Sequence, residues 1–142
     1  MIGVIDYGAG NLTSVKCAFG RCGVDVEVFE NPALIQNYSH LVLPGVGSFQ
    51  AATLKLAEKK WKQHILACVE RGTPLLGICL GMQLLFDTST ENGINQGLGI
   101  INGDVEKLDD ATDIKIPHVG WSSIEQKLGH PVLSEVSPTA DF

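Results

Sequence analysis

No apolar run in this 142-residue chain approaches the ~20 residues that a membrane-spanning helix needs. The first residues lack a basic segment and contain Asp6, so they do not read as a secretory signal, and a cytoplasmic location is expected. Basic charge is scarce. Ten Lys and Arg stand against sixteen Asp and Glu, a formal net charge of −6. A protein that grips a phosphate backbone needs a basic face, so a nucleic-acid partner is not expected. Charged residues make up only 18% and hydrophobic ones 44%, which excludes a disordered chain and a coiled coil. The four cysteines, Cys17, Cys22, Cys68 and Cys79, form no Cys-x-x-Cys. With no secretory signal and no loop-rich framework they are expected to stay reduced, and Cys17 with Cys22 makes a poor zinc set. No metal or organic cofactor is indicated. Repeats, low-complexity segments and linkers are missing too. The expectation is a single domain over 1–142, large enough to hide about two-thirds of its unfolded surface.

Short apolar runs and helical patterns are what the chain does have. Ile2–Ile5 is an apolar run stopped by a polar residue and a glycine turn, the pattern of a strand buried on both faces. Asn11 is a good N-cap for a helix whose stripe is Leu12, Val15, Phe19 and Cys22, with Gly23 at its exit. Val24–Phe29 reads as a second strand, and Pro32 opens a turn or short helix. His40–Leu43 is a third strand, stopped by Pro44-Gly45. Ser48 caps a helix running to about Lys60, and Trp61–Arg71 continues helical. Pro74–Ile78 is a fourth strand, with a helix starting over Met82–Phe86. Beyond Gly97 shorter strands are expected at Gly99–Ile101, Val105–Leu108, Ile114–Ile116 and Val119–Ile124. The fold class is therefore α/β: a mostly parallel sheet with right-handed crossovers and helices on both faces, then a short antiparallel meander.

Sixteen glycines concentrate the chemistry. Open α/β sheets bind ligands at the carboxyl ends of their strands, and three of the four strands end in glycine turns: Asp6–Asn11, Pro44–Ser48 and Gly77–Gly81. A βα turn often holds glycine for its backbone freedom alone. Gly77-x-Cys79-x-Gly81, however, has the spacing of a nucleophile elbow, in which a strained turn thrusts the middle side chain into the open. There the thiol faces the N-terminus of the next helix, and the Leu80 N–H points at a developing oxyanion. A second donor must come from a neighbouring turn, and the Val46 N–H is the candidate. Cys17, Cys22 and Cys68 read as inert buried thiols on helices. Gly8-x-Gly10 with Glu30 some twenty residues on is a rival, a dinucleotide fingerprint, but Thr13 stands where its third glycine belongs. A cysteine nucleophile needs a base. His40 heads the third strand at the opposite edge of the sheet, His64 is on a helix, and His130 precedes Pro131. His118 alone has a distinctive setting, in Pro117-His118-Val119-Gly120-Trp121, and no histidine has a carboxylate two residues on.

These residues resemble the class I glutamine amidotransferases, a flavodoxin-like group. The broad class shows in Gly77-Ile78-Cys79-Leu80-Gly81-Met82-Gln83 and in Pro44-Gly45-Val46-Gly47-Ser48-Phe49. Asp6-Tyr7-Gly8-Ala9-Gly10-Asn11-Leu12-Thr13-Ser14-Val15 and Pro117–Trp121 are similar to the glutaminase subunits of imidazole glycerol phosphate synthase, from histidine biosynthesis. The resemblance runs from Met1 to about Ile124. It implies glutamine as substrate, Cys79 as nucleophile, Val46 and Leu80 as oxyanion donors, and Gly47, Gln83 and Glu91 as the glutamine pocket. It also implies a heterodimer with a (β/α)₈-barrel cyclase subunit that takes the ammonia, with Asn11 and Trp121 at the interface. The bland readings are a core or hinge aromatic at Trp121, a solvated helix residue at Gln83 and a surface acid at Glu91. The family takes its base and orienting acid from a His-Pro-Glu motif, and the 142 residues contain no His-x-Glu. The chain is accordingly expected to be the N-terminal part of a longer protein, inactive alone. Two other readings remain: a docking or regulatory domain on the same partner, and a cysteine hydrolase or redox sensor of the DJ-1 kind.

Overall fold

The computed structural model describes residues 1–108, 120–125, 129, 131–137 and 140–141. The chain divides into two compact units, Met1–Lys107 and Leu108–Phe142.

In the first unit the strands are β1 (Ile2–Ile5), β2 (Val26–Phe29), β3 (His40–Leu43) and β4 (Leu75–Gly77). They form one parallel sheet in the order β2-β1-β3-β4, with Val4 level with Val28 on one side and Val42 on the other. Successive residues of a strand face opposite ways, and the core divides accordingly. Val4 and Val42 meet Val15, Leu12 and Phe19 of α1 (Leu12–Arg21) on one face. Ile5, Leu41 and Leu43 meet Phe49, Ala52 and Leu56 of α2 (Phe49–Glu58) and Trp61, Ile65 and Cys68 of α3 (Trp61–Glu70) on the other. Helices thus cover both faces, as the pattern of apolar runs implies. Burying a Leu, Ile or Phe contributes about 1.5–3 kcal/mol each, and Ile5, Leu43, Phe49, Trp61 and Ile65 are all fully enclosed.

The differences from expectation have local causes. The second strand starts at Val26, not Val24, because the Val24 N–H donates to the Phe19 carbonyl and closes the exit of α1. Cys17 and Cys22 are exposed, not buried. Cys17 lies off the Leu12–Val15–Phe19 stripe, and Cys22 is the C-cap of α1. Only Cys68 among the helical cysteines is enclosed, and its sulfur accepts from Arg71 Nη2 at 3.1 Å.

The helix expected from Met82 through Phe86 is a single turn, α4 (Leu80–Gln83), followed by strand β5 (Phe86–Ser89). The Leu84 carbonyl accepts from Leu98 and the Leu85 carbonyl from Ile100 and Ile101, so neither is left to propagate the helix. A second, three-stranded sheet results, in the order β6-β5-β7, from β6 (Asn95–Gln96), β5 and β7 (Ile101–Val105). It is mixed where a meander was expected: β6 is antiparallel to β5 and β7 is parallel to it. The two strands expected over 99–108 are one, running through Gly103, whose N–H donates to Asp87 Oδ2 at 2.9 Å.

Of the later expected strands, 114–116 lies outside the described residues. Across 120–124 there is an isolated antiparallel bridge, Ser123 to Asp141, in the second unit, which also carries a short 3₁₀ turn at Pro131–Leu133. Among the described residues no helix is long and apolar enough to cross a membrane.

Candidate functional site

The sharpest turn in the first unit joins β4 to α4. Cys79 sits there at φ +55°, ψ −119°, a strained backbone for a residue with a side chain. The strain is held from both sides. The Ile78 N–H donates to the Leu43 carbonyl at 3.0 Å, and the Cys79 carbonyl accepts from Met82 and Gln83 at 2.9 and 3.2 Å. A Cβ on Gly77 would lie 2.6 Å from Met82 Cα, and one on Gly81 would lie 1.8 Å from the Leu43 oxygen. Both flanking positions therefore admit glycine alone, and the thiol between them is exposed. The expected helix dipole behind the thiol is reduced to one turn of four residues, so it counts for little here. Leu80 opens that turn, which leaves its N–H among the orphan donors of a helix start.

The turn after β3 lies directly against the elbow. A Cβ on Gly45 would stand 2.7 Å from Gly81 N, 2.9 Å from Leu80 Cβ and 2.9 Å from the Tyr7 hydroxyl. Val46 follows, half of its surface open, and Gly47 takes φ +93°. Ser48 caps α2 by accepting from the Ala51 N–H at 3.3 Å. Glu91 reaches the same helix start from 42 residues away: its Oε2 accepts from the Phe49 N–H at 2.7 Å. The Glu91 N–H donates to Ser89 Oγ, a fully buried hydroxyl, at 3.1 Å. A carboxylate at a helix N-terminus is well placed electrostatically, so Glu91 is more than a surface acid in a loop. Gln83 is half-buried and closes α4.

Residues 45–49, Leu80 and Glu91 are thus joined by direct contacts or by hydrogen bonds along one edge. Asn11 is at the same carboxyl edge, capping α1 with its side chain (Ser14 N–H, 3.1 Å). Lys55 of α2 reaches the strand-one turn and donates to the Gly8 carbonyl. His40 heads β3 at the opposite edge, its Nδ1 by Ser39 Oγ, and His64 lies midway along α3. His118 and His130 fall outside the described residues. Trp121, in the second unit, is 84% exposed, so it is not a core aromatic. Among the described residues no group of three His, Cys, Asp or Glu could hold a metal ion.

Tyr7 is the residue that pattern reading missed. It is buried to 1% exposure beside Gly45, and its hydroxyl has no hydrogen-bond partner among the described residues. Burial, helped by the Cys79 charge, pushes its pKa up to about 12. Position alone gives no warning, because Tyr7 reads as one more residue of a glycine turn.

Comparison with known proteins places these features in a group. The family model described as glutamine amidotransferase class-I matches residues 3–132. The chain is 44% identical over 140 residues to an imidazole glycerol phosphate synthase subunit HisH from a Geobacillus species (strain WCH70), covering 96% of this chain and 66% of that protein. It is 42% identical over 142 residues to the protein of the same name from Desulfitobacterium hafniense (strain DSM 10664 / DCB-2), covering 100% of this chain and 66% of the relative. A crystal structure of a glutamine amidotransferase superposes with a TM-score of 0.67 at 21% identity, over 80% of this chain and 59% of that one, a likeness of fold. The chain therefore spans just under two-thirds of the length of these curated relatives.

Proposed function

The chain belongs to the class-I glutamine amidotransferase family, and from that premise we propose that it carries the glutaminase half-site of an imidazole glycerol phosphate synthase. The carrying observation is Cys79 on the elbow, exposed at φ +55° between two glycines that admit no side chain. In this reading the Cys79 thiolate adds to the side-chain amide carbon of glutamine. The carbonyl electron pair moves to oxygen, and the N–H groups of Leu80 and Val46 donate hydrogen bonds to the oxyanion so formed. Collapse of that intermediate breaks the C–N bond, the departing nitrogen takes the proton that the Cys79 thiol gave up and leaves as ammonia, and a γ-glutamyl thioester remains on Cys79. Water hydrolyses the thioester to glutamate and frees the thiol.

Glu91 holds the α-amino group of glutamine by charge, and Gly47 and Gln83 line the pocket. The location of Glu91 at the start of α2, two residues past Gly47, supports that assignment. Ammonia passes to a (β/α)₈-barrel cyclase subunit, docked at the edge that carries Asn11 and by the segment that carries Trp121. The relatives' name supports this partner. A nucleotide-binding reading of the strand-one turn gains nothing from either the family match or the Cys79 turn.

The test is glutamate release from glutamine by the complete synthase, with and without Cys79→Ser. Release that stops in the variant supports the proposal; release that survives overturns the nucleophile assignment.

A further inference from the structure

We propose that Tyr7 is a positioning residue of the oxyanion site, its hydroxyl holding the 45–46 peptide so that the Val46 N–H faces the nucleophile. The inference rests on the glutaminase reading above and deepens it.

The Tyr7 hydroxyl lies where the two donor-bearing segments touch. A Cβ on Gly45 would be 2.9 Å from Tyr7 Oη, 2.9 Å from Leu80 Cβ and 2.7 Å from Gly81 N. Gly45 belongs to the turn that bears Val46, and Leu80 to the turn that bears Cys79. A fully enclosed hydroxyl with no partner among the described residues is costly, and native structures seldom keep one without a use.

A planar peptide points its N–H and its C=O in opposite directions. In the structure Tyr7 Oη is not bonded to Gly45 or to any other described residue; a 45–46 peptide turned so that the Val46 N–H faces an oxyanion above Cys79 would carry the Gly45 carbonyl the opposite way, toward the phenol. The phenol donates and the carbonyl accepts, so the hydroxyl finds its partner in the orientation that catalysis requires. The group remains a donor throughout the working range, because its pKa is pushed up to about 12. Tyr7 touches neither glutamine nor the thiol in this scheme; it acts through the backbone of Gly45.

The test separates a step that builds an oxyanion from one that does not. A γ-glutamyl 4-nitrophenyl ester acylates the thiol: the S–C bond forms, the carbonyl pair moves to oxygen, and collapse expels 4-nitrophenolate. Iodoacetamide alkylates the same sulfur by displacing iodide and builds no oxyanion. Both rates are measured on the wild-type chain, Tyr7→Phe and Cys79→Ser, the last as the blank. Tyr7→Phe is expected to acylate about tenfold more slowly, while its alkylation rate at Cys79 stays within about twofold of wild type.

Equal acylation by Tyr7→Phe and wild type overturns the role of Tyr7 and leaves the glutaminase reading standing. An equal loss in both reactions also overturns it, since the hydroxyl would then be serving the fold. Wild-type acylation no faster than the Cys79→Ser blank removes the glutaminase reading and this inference with it.

Discussion

A methyl group added at Gly81 would lie 1.8 Å from the Leu43 oxygen, inside the strand that the elbow packs upon. Neither partner is the far end of a flexible side chain, so backbone must move. Gly81→Ala is expected to destabilise the chain by about 3 kcal/mol or more, the upper range of overpacking changes because the clash is with backbone, as read from urea midpoints. Gly47 takes positive φ with nothing near its missing Cβ, so Gly47→Ala is strained by conformation alone and should cost less. Tyr7 gives a prediction in pH. Its folded pKa is about 12, above the ordinary value of 10.0. Between those values the unfolded chain has lost the phenolic proton and the folded chain still holds it, so stability falls as pH rises across that window. Below pH 10 the contribution is fully present. Tyr7→Phe should therefore flatten the part of the alkaline loss that falls between pH 10 and 12, measured by urea unfolding at stepped pH. An unchanged slope would mean that the phenol is not shielded from water.

Among the elements, α2 joins fold and site most directly. Its first turn is capped by Ser48 from within and by Glu91 from the loop after β5. Glu91→Ala should cost about 1 kcal/mol of stability through the lost cap and, in the complete synthase, raise the KM for glutamine. Glu91→Gln keeps an oxygen for the Phe49 N–H but removes the charge. Its expected signature is a smaller stability loss with the KM still raised, and a KM equal to wild type would confine Glu91 to capping. Periodicity made most of these elements legible. The Leu12–Val15–Phe19 stripe, the Asn11 and Ser48 caps and the apolar runs at Ile2 and His40 all act locally, so sequence alone exposes them. The single turn of α4 was not legible, because what ends it comes from residues 98–101, whose N–H groups take the carbonyls of Leu84 and Leu85. Non-local pairing also merged the strands expected on either side of Gly103 into β7.

At the scale of the molecule, the parallel sheet brings the ends of β1, β3 and β4 to one edge, and the glycine turns there could be read as a set before any coordinates. What the spacing could not show is how they touch: the Gly45–Gly81 approach, the Glu91 reach to α2 and the buried phenol are distances, not motifs. The catalytic base is a different matter. His40 is at the far edge of the sheet, His64 is on α3, and none of the four histidines has a carboxylate two residues on. On the proposed mechanism the Cys79 thiol can still be acylated by a reactive ester, whose leaving group needs no proton. An amide is harder, because its nitrogen must be protonated before it leaves. We therefore expect the 142-residue chain, assayed with the cyclase subunit at saturating glutamine, to release glutamate at least about a thousandfold more slowly than the ~10 s⁻¹ of an ordinary enzyme. Coupling to glutamate dehydrogenase measures this directly. The same preparation should be acylated by the γ-glutamyl 4-nitrophenyl ester faster than Cys79→Ser, whose exposed Cys17 and Cys22 set the background, which shows the site to be formed while turnover is missing. Turnover near 10 s⁻¹ would place a working base within these residues, and His118 would be the first to replace.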